Sequence, residues 1–256
     1  MNHANISVIL IIPSASYRTN PFIDAATKLD INILVITDKS QVFSEYYPDN
    51  VITMNFEHWQ ESIENIHEWS ERYDLKAVIG VDEESIILAA KLSESLCIEH
   101  NSLESVKLTK DKYLMRSELK KSGLKSPWFK RFSVHETPKD IFAELIFPCV
   151  LKPTFLSASQ GVLRVNSFEE FGKGCEMLSD LLAEEKVKKR GGDQANWILV
   201  EEYIPGKEVS IEGIVNDGKL KDLAIFDKPE PLEGPIFPET IFITPTILDE
   251  HLQSSL

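Results

Sequence analysis

Residues 147–153 read FPCVLKP, an apolar run that ends on Lys152, and the small-residue stretch SASQG follows at residues 157–161. Short apolar runs that are bounded by turn residues are typical of buried strands. A second apolar stretch, VLRV, occupies residues 162–165. The pattern predicts a β-hairpin whose loop carries small side chains. The backbone N–H groups of such a loop can close over phosphate groups.

A pair of glutamates lies in the next apolar stretch, WILVEEYI at residues 197–204. Side chains alternate between the two faces of a strand, so Glu201 and Glu202 point in opposite directions. We expect one of the two to face the interior. Pro205 and Gly206 end this strand. In the strand that follows, the same alternation places Glu208 in a polar row on one face.

The second half of the chain has the pattern of an α+β lobe with an antiparallel sheet. A capping box that begins at Ser167 predicts one helix, and Asp217-Gly218 predicts a hairpin turn. Residues 184–196 are interpreted as an exposed loop. The predicted strands lie near residues 148–152, 161–165, 197–204, 208–215 and 219–227.

The first half alternates between strand and helix patterns, beginning with the nearly all-apolar residues 6–12. Such alternation predicts a Rossmann-like parallel sheet over residues 1 to about 100. The loop at residues 13–18 has no glycine, so the dinucleotide-binding fingerprint is missing and an oxidoreductase is disfavoured. A further helix is predicted over residues 109–121, with Lys112 in its first turn, where the helix dipole disfavours a cation.

Composition excludes several classes of partner. The 256 residues include 41 acidic and 27 basic side chains, for a net charge of −14, which argues against nucleic acid or an anionic membrane. The three cysteines, Cys97, Cys149 and Cys175, lie in apolar segments and are interpreted as core residues in a reducing compartment. The N-terminal apolar stretch is too short to span a bilayer. We therefore expect a cytoplasmic protein with two lobes.

Four segments in order resemble motifs of the ATP-grasp superfamily of carboxylate-amine and carboxylate-thiol ligases. The likeness is to the D-alanine ligase, biotin carboxylase and carbamoyl phosphate synthetase-like branches, and it covers essentially the whole chain. No single motif is decisive, but the four together are fairly specific. The segments are DKYLMR at residues 111–116, FPCVLKP at 147–153, SASQGV at 157–162 and VEEYIPGKEVS at 200–210.

The resemblance implies a domain order. An α/β Rossmann-like domain that precedes the ATP-grasp domain would occupy residues 1–101, and the α+β ATP-grasp domain would occupy residues 102–256. Within the latter, we expect a helical segment at 102–135, a hinged ATP-binding subdomain at 136–206 and the start of a C-terminal subdomain at 207–256.

The resemblance also implies residues that bind the phosphates of ATP. Lys112 and Lys152 would contact them directly, and Lys228 would approach them from the segment after the last strand. Backbone N–H groups would cradle the terminal phosphates at Ser157, Ala158, Ser159, Gln160 and Gly161.

The nucleoside would lie along the predicted strand that carries Glu201 and Glu202. The resemblance implies that Glu201 meets the adenine amino group and that backbone groups of Glu202 and Ile204 follow the adenine edge. Glu208 would accept hydrogen bonds from the ribose hydroxyls, which suits a carboxylate because it can accept two donors at once.

The implied reaction uses ATP and Mg²⁺ to activate a small carboxylate as an acyl-phosphate and couple it to an amine or thiol. Family members continue with metal-binding carboxylates, but the sequence ends at Leu256, so we expect an incomplete C-terminal lobe and assign no metal ligand. The alternatives are a non-catalytic nucleotide-binding remnant and one subunit of a split ligase. A homo-oligomer and a complementary C-terminal chain are both left open.

Overall fold

Strands and helices alternate up to residue 110, and antiparallel strands dominate after it. The computed structural model describes residues 6–39, 48–141, 144–230, 233–238 and 241–256. It divides into Met1–Lys110, here unit 1, and Asp111–Leu256, here unit 2. The architecture is mixed α/β. The domain division given above, with its boundary after residue 101, stays a prediction.

Unit 1 is built on a parallel sheet. Its strands are β1 (Ile6–Ile11), β2 (Asn32–Thr37), β3 (Val51–Thr53) and β4 (Asp74–Gly80). In the described residues they run in the order β3-β2-β1-β4, and all neighbours are parallel. The helices are α1 (Thr19–Lys28), α2 (Ile63–Arg72), α3 (Ile86–Ser95) and α4 (Leu103–Lys110), with 3₁₀ turns at Pro48–Asn50 and Phe56–Ser62.

Both faces of this sheet are covered, which explains why β1 and β2 are mostly apolar. Ile9 and Ile11 point to one face, where they pack with buried side chains of α2 and α3 such as Ile66 and Leu92. Leu10 belongs to a smaller cluster that includes Phe22 of α1. Helices therefore lie on both sides of the sheet.

Unit 2 contains an antiparallel sheet and a separate hairpin. The sheet comprises β5 (Phe129–Ser133), β6 (Cys149–Pro153), β7 (Leu163–Val165) and β8 (Trp197–Glu202) in the order β5-β8-β6-β7. The hairpin joins β9 (Val209–Asn216) to β10 (Lys219–Asp227) through the predicted Asp217-Gly218 turn. The helices are α5 (Lys112–Lys121), α6 (Pro138–Ile141), α7 (Phe168–Ala183), α8 (Glu185–Gly191) and α9 (Glu250–Ser255), with a 3₁₀ segment at Gly192–Asn196.

Helix α7 covers one face of the β5-β8-β6-β7 sheet through residues such as Phe171 and Leu178. It begins where the capping box predicts, because the Ser167 hydroxyl accepts the N–H of Glu170 at 3.2 Å. The Glu170 carboxylate bonds the N–H of Asn166 at 2.8 Å, one residue before the cap. This face holds the core of unit 2 and leaves the opposite face for the polar side chains described below.

Residues 185–196 are helical, which corrects the prediction of a loop, while most of them are exposed as predicted. They form α8 and the following 3₁₀ segment. A Cβ at Gly191 would lie 2.3 Å from the ring of Phe155, so this glycine lets the segment pack directly on an aromatic side chain. The polar sequence gives no sign of this contact because it depends on a residue far away in the chain.

The helix predicted over residues 109–121 is interrupted at Asp111. Asp111 is the N-cap of α5, and its carboxylate accepts the N–H groups of Tyr113 and Leu114 at 2.8 and 3.1 Å. The negative charge of the cap lies next to Lys112 and offsets the unfavourable dipole in the first turn.

The cysteines do not all lie in the core. Cys149 and Cys175 are buried, and burial raises the pKa of each thiol to about 12. Cys97 is exposed, which corrects the prediction for that residue. Among the described residues there is no helix that is both long and apolar enough to cross a membrane.

Candidate nucleotide-binding site in unit 2

Lys152 and Glu201 form an ion pair on the face of the sheet that is turned away from α7. In the register of β6 and β8, Lys152 lies opposite Leu199 and Val150 lies opposite Glu201. Opposed residues of antiparallel strands share a face, so the lysine and the glutamate meet diagonally across the two strands. Their side chains are only 15% and 8% exposed. The alternation in the sequence predicts such an inward glutamate, and the structure identifies it as Glu201.

Arg116 completes the cluster from helix α5. Its Nε donates to Oε2 of Glu201 at 3.1 Å, while Lys152 binds Oε1 of the same carboxylate. We call these three residues the Lys152–Glu201–Arg116 cluster. Arg116 lies in the DKYLMR segment at residues 111–116, and no role was predicted for it from the sequence. The available signal was its spacing, because residues four apart on a helix share a face and Arg116 follows Lys112 by four.

Electrostatics keep Glu201 ionised. Burial by itself would raise the pKa of this carboxyl group, but the charges of Lys152 and Arg116 and the hydrogen bonds from both side chains outweigh it. The net effect is a pKa below the usual value for glutamate. The cluster therefore consists of one buried anion held between two cations.

Lys112 lies at the start of α5, against the loop that follows β6. Its Nζ donates to the carbonyl oxygen of Leu156, and its backbone N–H donates to the carbonyl oxygen of Thr154 at 2.9 Å. The Asp111 cap is fixed in turn by Gln194, whose Nε2 donates to Oδ2 at 2.8 Å. These bonds attach the N-terminus of α5 to the loop between β6 and β7.

That loop is a tight turn with an unusual backbone. Ala158, Ser159 and Gly161 have positive φ values of 52°, 55° and 71°, and Gln160 donates its N–H to the carbonyl of Ser157 at 3.2 Å. Within the described part of the chain, the N–H groups of Ser157, Ala158, Ser159 and Gly161 donate to no acceptor. The buried hydroxyl of Thr154 also has no hydrogen-bond partner there. A cluster of open donors is suited to an anionic ligand.

Glu202 and Ile204 are exposed, at and just beyond the end of β8. The backbone N–H of Glu202 donates to the carbonyl of Trp128 at 2.8 Å. In return, the Glu202 carboxylate accepts the backbone N–H of Trp128 at 3.3 Å. Tyr203 donates its N–H to the carbonyl of Pro148 at 3.3 Å. The backbone beyond Tyr203 leaves the sheet, which puts Ile204 in the connection to the hairpin.

Glu208 and Lys228 form a second pair at the base of the β9–β10 hairpin. They flank the paired residues Val209 and Asp227. The Lys228 side chain is 13% exposed and its Nζ lies 5.2 Å from the ring centroid of Phe242, whereas Glu208 is 51% exposed. The structure thus places the predicted site residues in four neighbourhoods: Lys152 and Glu201 in the cluster, Lys112 with the loop at 157–161, Glu202 and Ile204 at the end of β8, and the Glu208–Lys228 pair.

Residues 145–256 match the model of an ATP-grasp domain. The match identifies residues 145–256, the larger part of unit 2, as an ATP-grasp domain. The alanine–anticapsin ligase of Bacillus subtilis (strain 168) is 30% identical over 243 residues, which is 88% of this chain and 51% of that protein. The D-alanine–D-alanine ligase of Natranaerobius thermophilus is 31% identical over 117 residues, 43% of this chain and 28% of that protein. Residues 145–256 thus belong to the ATP-grasp superfamily, and the relatives of the whole chain are consistent with that assignment.

Solved structures show the same fold. An L-amino acid ligase from Bacillus licheniformis superposes with a TM-score of 0.76 at 22% identity, covering 98% of this chain and 59% of the other. An ADP complex of N5-carboxyaminoimidazole ribonucleotide synthetase gives 0.68 at 18% identity, covering 98% and 60%. The chain spans about half the length of the alanine–anticapsin ligases it matches.

Proposed function

We propose that this chain binds ATP in unit 2 and belongs to a ligase that activates a carboxylate as an acyl-phosphate and couples it to an amine. The observation that carries the proposal is the Lys152–Glu201–Arg116 cluster, a nearly buried set of charges on the sheet face that does not hold the core. Burying charges is costly and contributes little to stability compared with apolar packing. Such a cluster is therefore better explained by binding than by folding.

The phosphates of ATP would be held by lysines and by backbone donors. Lys152 precedes residues 153–156, which lead into the loop, and Lys112 is hydrogen-bonded to this segment. The open N–H groups of Ser157, Ala158, Ser159 and Gly161 match an acceptor-rich anion. Lys152 can turn toward a phosphate without leaving Glu201 uncompensated, because Arg116 already binds the other carboxylate oxygen. Lys228 would also contact the phosphates once its ion pair with Glu208 is broken.

The nucleoside would lie against the end of β8. In this proposal Glu201 and the backbone groups of Glu202 and Ile204 bind the adenine, and Glu208 accepts the ribose hydroxyls. The exposure of Glu202, Ile204 and Glu208 supports it, since a ligand can reach all three. The similarity in fold to a synthetase that was crystallised with ADP also supports it.

We further propose that magnesium accompanies the nucleotide, where it would neutralise charge on the phosphates. The described residues contain no group of three or more His, Cys, Asp or Glu side chains that could hold a metal ion. No residue of this chain is therefore assigned to the metal. The proposed roles of Lys112, Lys152 and the loop are to bind and orient phosphate, which they can perform as cations and N–H donors.

The proposed carboxylate substrate is an amino acid. Two of the similar proteins are ligases of alanine, and the solved structure with a TM-score of 0.76 is that of an L-amino acid ligase. Unit 1, with its parallel sheet and helices on both faces, is proposed to be the Rossmann-like domain of such a ligase. This assignment is supported by the strand order and by similarity that extends over 88% of the chain.

Calorimetric titration of the purified chain with ATP and with a non-hydrolysable analogue, each with and without Mg²⁺, tests the proposal. Lys152→Met should weaken binding by roughly tenfold or more, because a hydrogen bond to a charged group contributes about 1.5–3 kcal/mol. Lys173→Met is the matched control, since Lys173 is 69% exposed on α7. Absence of ATP binding by the folded protein, or equal affinity in Lys152→Met, would overturn the proposal. Release of ADP that depends on an added amino acid would extend it to turnover.

A further inference from the structure

A basic cavity lies between helix α5 and strand β5, at the edge of the unit 2 sheet. Its volume is about 500 Å³. Helix α5 contributes Tyr113, Ser117, Lys120 and Lys121 to its wall, and β5 contributes Phe129, Lys130 and Arg131. We call it the α5–β5 pocket. None of its residues belongs to the proposed nucleotide site.

The lining of the pocket carries four cations and no carboxylate, although the chain as a whole has a net charge of −14. Carboxylates outside the lining pair with two of the four, Glu118 with Lys121 and Glu144 with Lys130. Both are exposed pairs of the kind that contribute little. A concentration of positive charge in one concave surface of an acidic protein attracts anions.

The other two cations contact aromatic rings. The guanidinium carbon of Arg131 lies 4.4 Å from the ring centroid of Tyr113 and 4.3 Å from that of Trp197. Lys120 Nζ lies 5.9 Å from the ring centroid of Phe129. Across residues 6–39, 48–141, 144–230, 233–238 and 241–256, the Arg131 side chain makes no hydrogen bond or ion pair with an acceptor.

Arg131 is half-buried, and the five N–H donors of its side chain have no acceptor among the described residues, so they can meet an anionic ligand as well as water. Contacts with two rings restrict the orientation of the guanidinium group and leave its in-plane donors for another partner. A planar fork of donors matches the oxygens of a phosphate group. The remaining lysines suit a ligand that carries more than one negative charge.

We propose that the α5–β5 pocket binds a small phosphate-bearing anion, with Arg131 and Lys120 as its principal ligands. The site is separate from the proposed ATP site, and it does not depend on that assignment. The two sites share helix α5, however, because Arg116 and Lys112 lie on the same helix as Lys120. A test must therefore distinguish the pocket from the Lys152–Glu201–Arg116 cluster.

Pyrophosphate is the probe, titrated by calorimetry into the full chain at about 150 mM salt, where loosely placed surface charges are largely screened. Three variants are compared with wild type: Arg131→Gln, Lys120→Gln and Lys152→Met. Lys125→Gln is the control, because Lys125 is exposed and outside the pocket lining. Lys120 is also exposed, so its substitution keeps the test informative if Arg131→Gln fails to fold.

The expected result is binding by wild type that is about tenfold weaker or more in both Arg131→Gln and Lys120→Gln. Lys125→Gln should bind as wild type does, and the binding that depends on Arg131 and Lys120 should persist in Lys152→Met. No binding of pyrophosphate by wild type would overturn the proposal. So would loss of binding in Lys152→Met with full binding in Arg131→Gln and Lys120→Gln, since the anion would then occupy the nucleotide site. ATP titrations of the same variants report separately on the proposed function.

Discussion

Glutamine in place of Glu201 removes the one negative charge of the Lys152–Glu201–Arg116 cluster while keeping the shape of the side chain. Each carboxylate oxygen is bound by a different cation, Oε1 by Lys152 and Oε2 by Arg116 at 3.1 Å. The exposed fractions are 8% for Glu201, 15% for Lys152 and 23% for Arg116. The variant would hold two cations in a partly dehydrated site with no opposite charge.

The expected loss is about 3 kcal/mol in the free energy of unfolding. Removing one partner from a buried ion pair costs about 3–5 kcal/mol, because the remaining charge is left without compensation. We expect a loss at the lower end of this range, because the Arg116 and Lys152 side chains are both partly exposed to water. Surface ion pairs contribute only about 0.2–1 kcal/mol, so a loss near 3 kcal/mol would be clearly different.

Urea unfolding followed by tryptophan fluorescence measures this free energy, and hydrogen exchange in β6 and β8 assigns the change to unit 2. Glu202→Gln is the matched control, because it makes the same chemical change at the next residue, which is exposed. We expect the control to change stability by less than about 0.5 kcal/mol. Equal losses in the two variants would refute the view that Glu201 is the buried anion of the cluster.

Three further predictions concern acid stability and the packing of two glycines. The pKa of Glu201 is lowered from its ordinary value of 4.5, so its contribution to stability is complete above that pH and declines as the pH falls toward the folded-state pKa. Urea melts between about pH 7 and pH 3 should show a steeper acid decline for wild type than for Glu201→Gln, and parallel curves would contradict the assignment. In α7, Gly172→Ala should raise stability by about 0.5–1 kcal/mol, because a Cβ there meets nothing within 4 Å. Gly191→Ala should lower stability by about 1–3 kcal/mol, because its Cβ would lie 2.3 Å from the ring of Phe155; thermal melts that find no loss would argue against this contact.

Local chemistry was sufficient to predict several elements of unit 2. The apolar run before Lys152 predicts β6, and the Ser167 cap predicts the start of α7. Asp217-Gly218 predicts the turn of the β9–β10 hairpin. Each of these signals depends on residues within a few positions of one another, where backbone preference and side-chain capping decide the conformation. Alternation along β8 also showed that Glu201 and Glu202 point to opposite faces.

Which glutamate is buried was decided only by tertiary structure. Glu201 meets Arg116, 85 residues earlier in the chain, and Lys152 on the neighbouring strand. The helix at residues 185–191, predicted as a loop, packs on Phe155, and Arg131 lies between α5 and β8. In each case, burial and charge pairing depend on side chains that are distant in sequence. Local pattern can supply the residue types for such contacts, but only the packing of the sheet and its helices determines the partners.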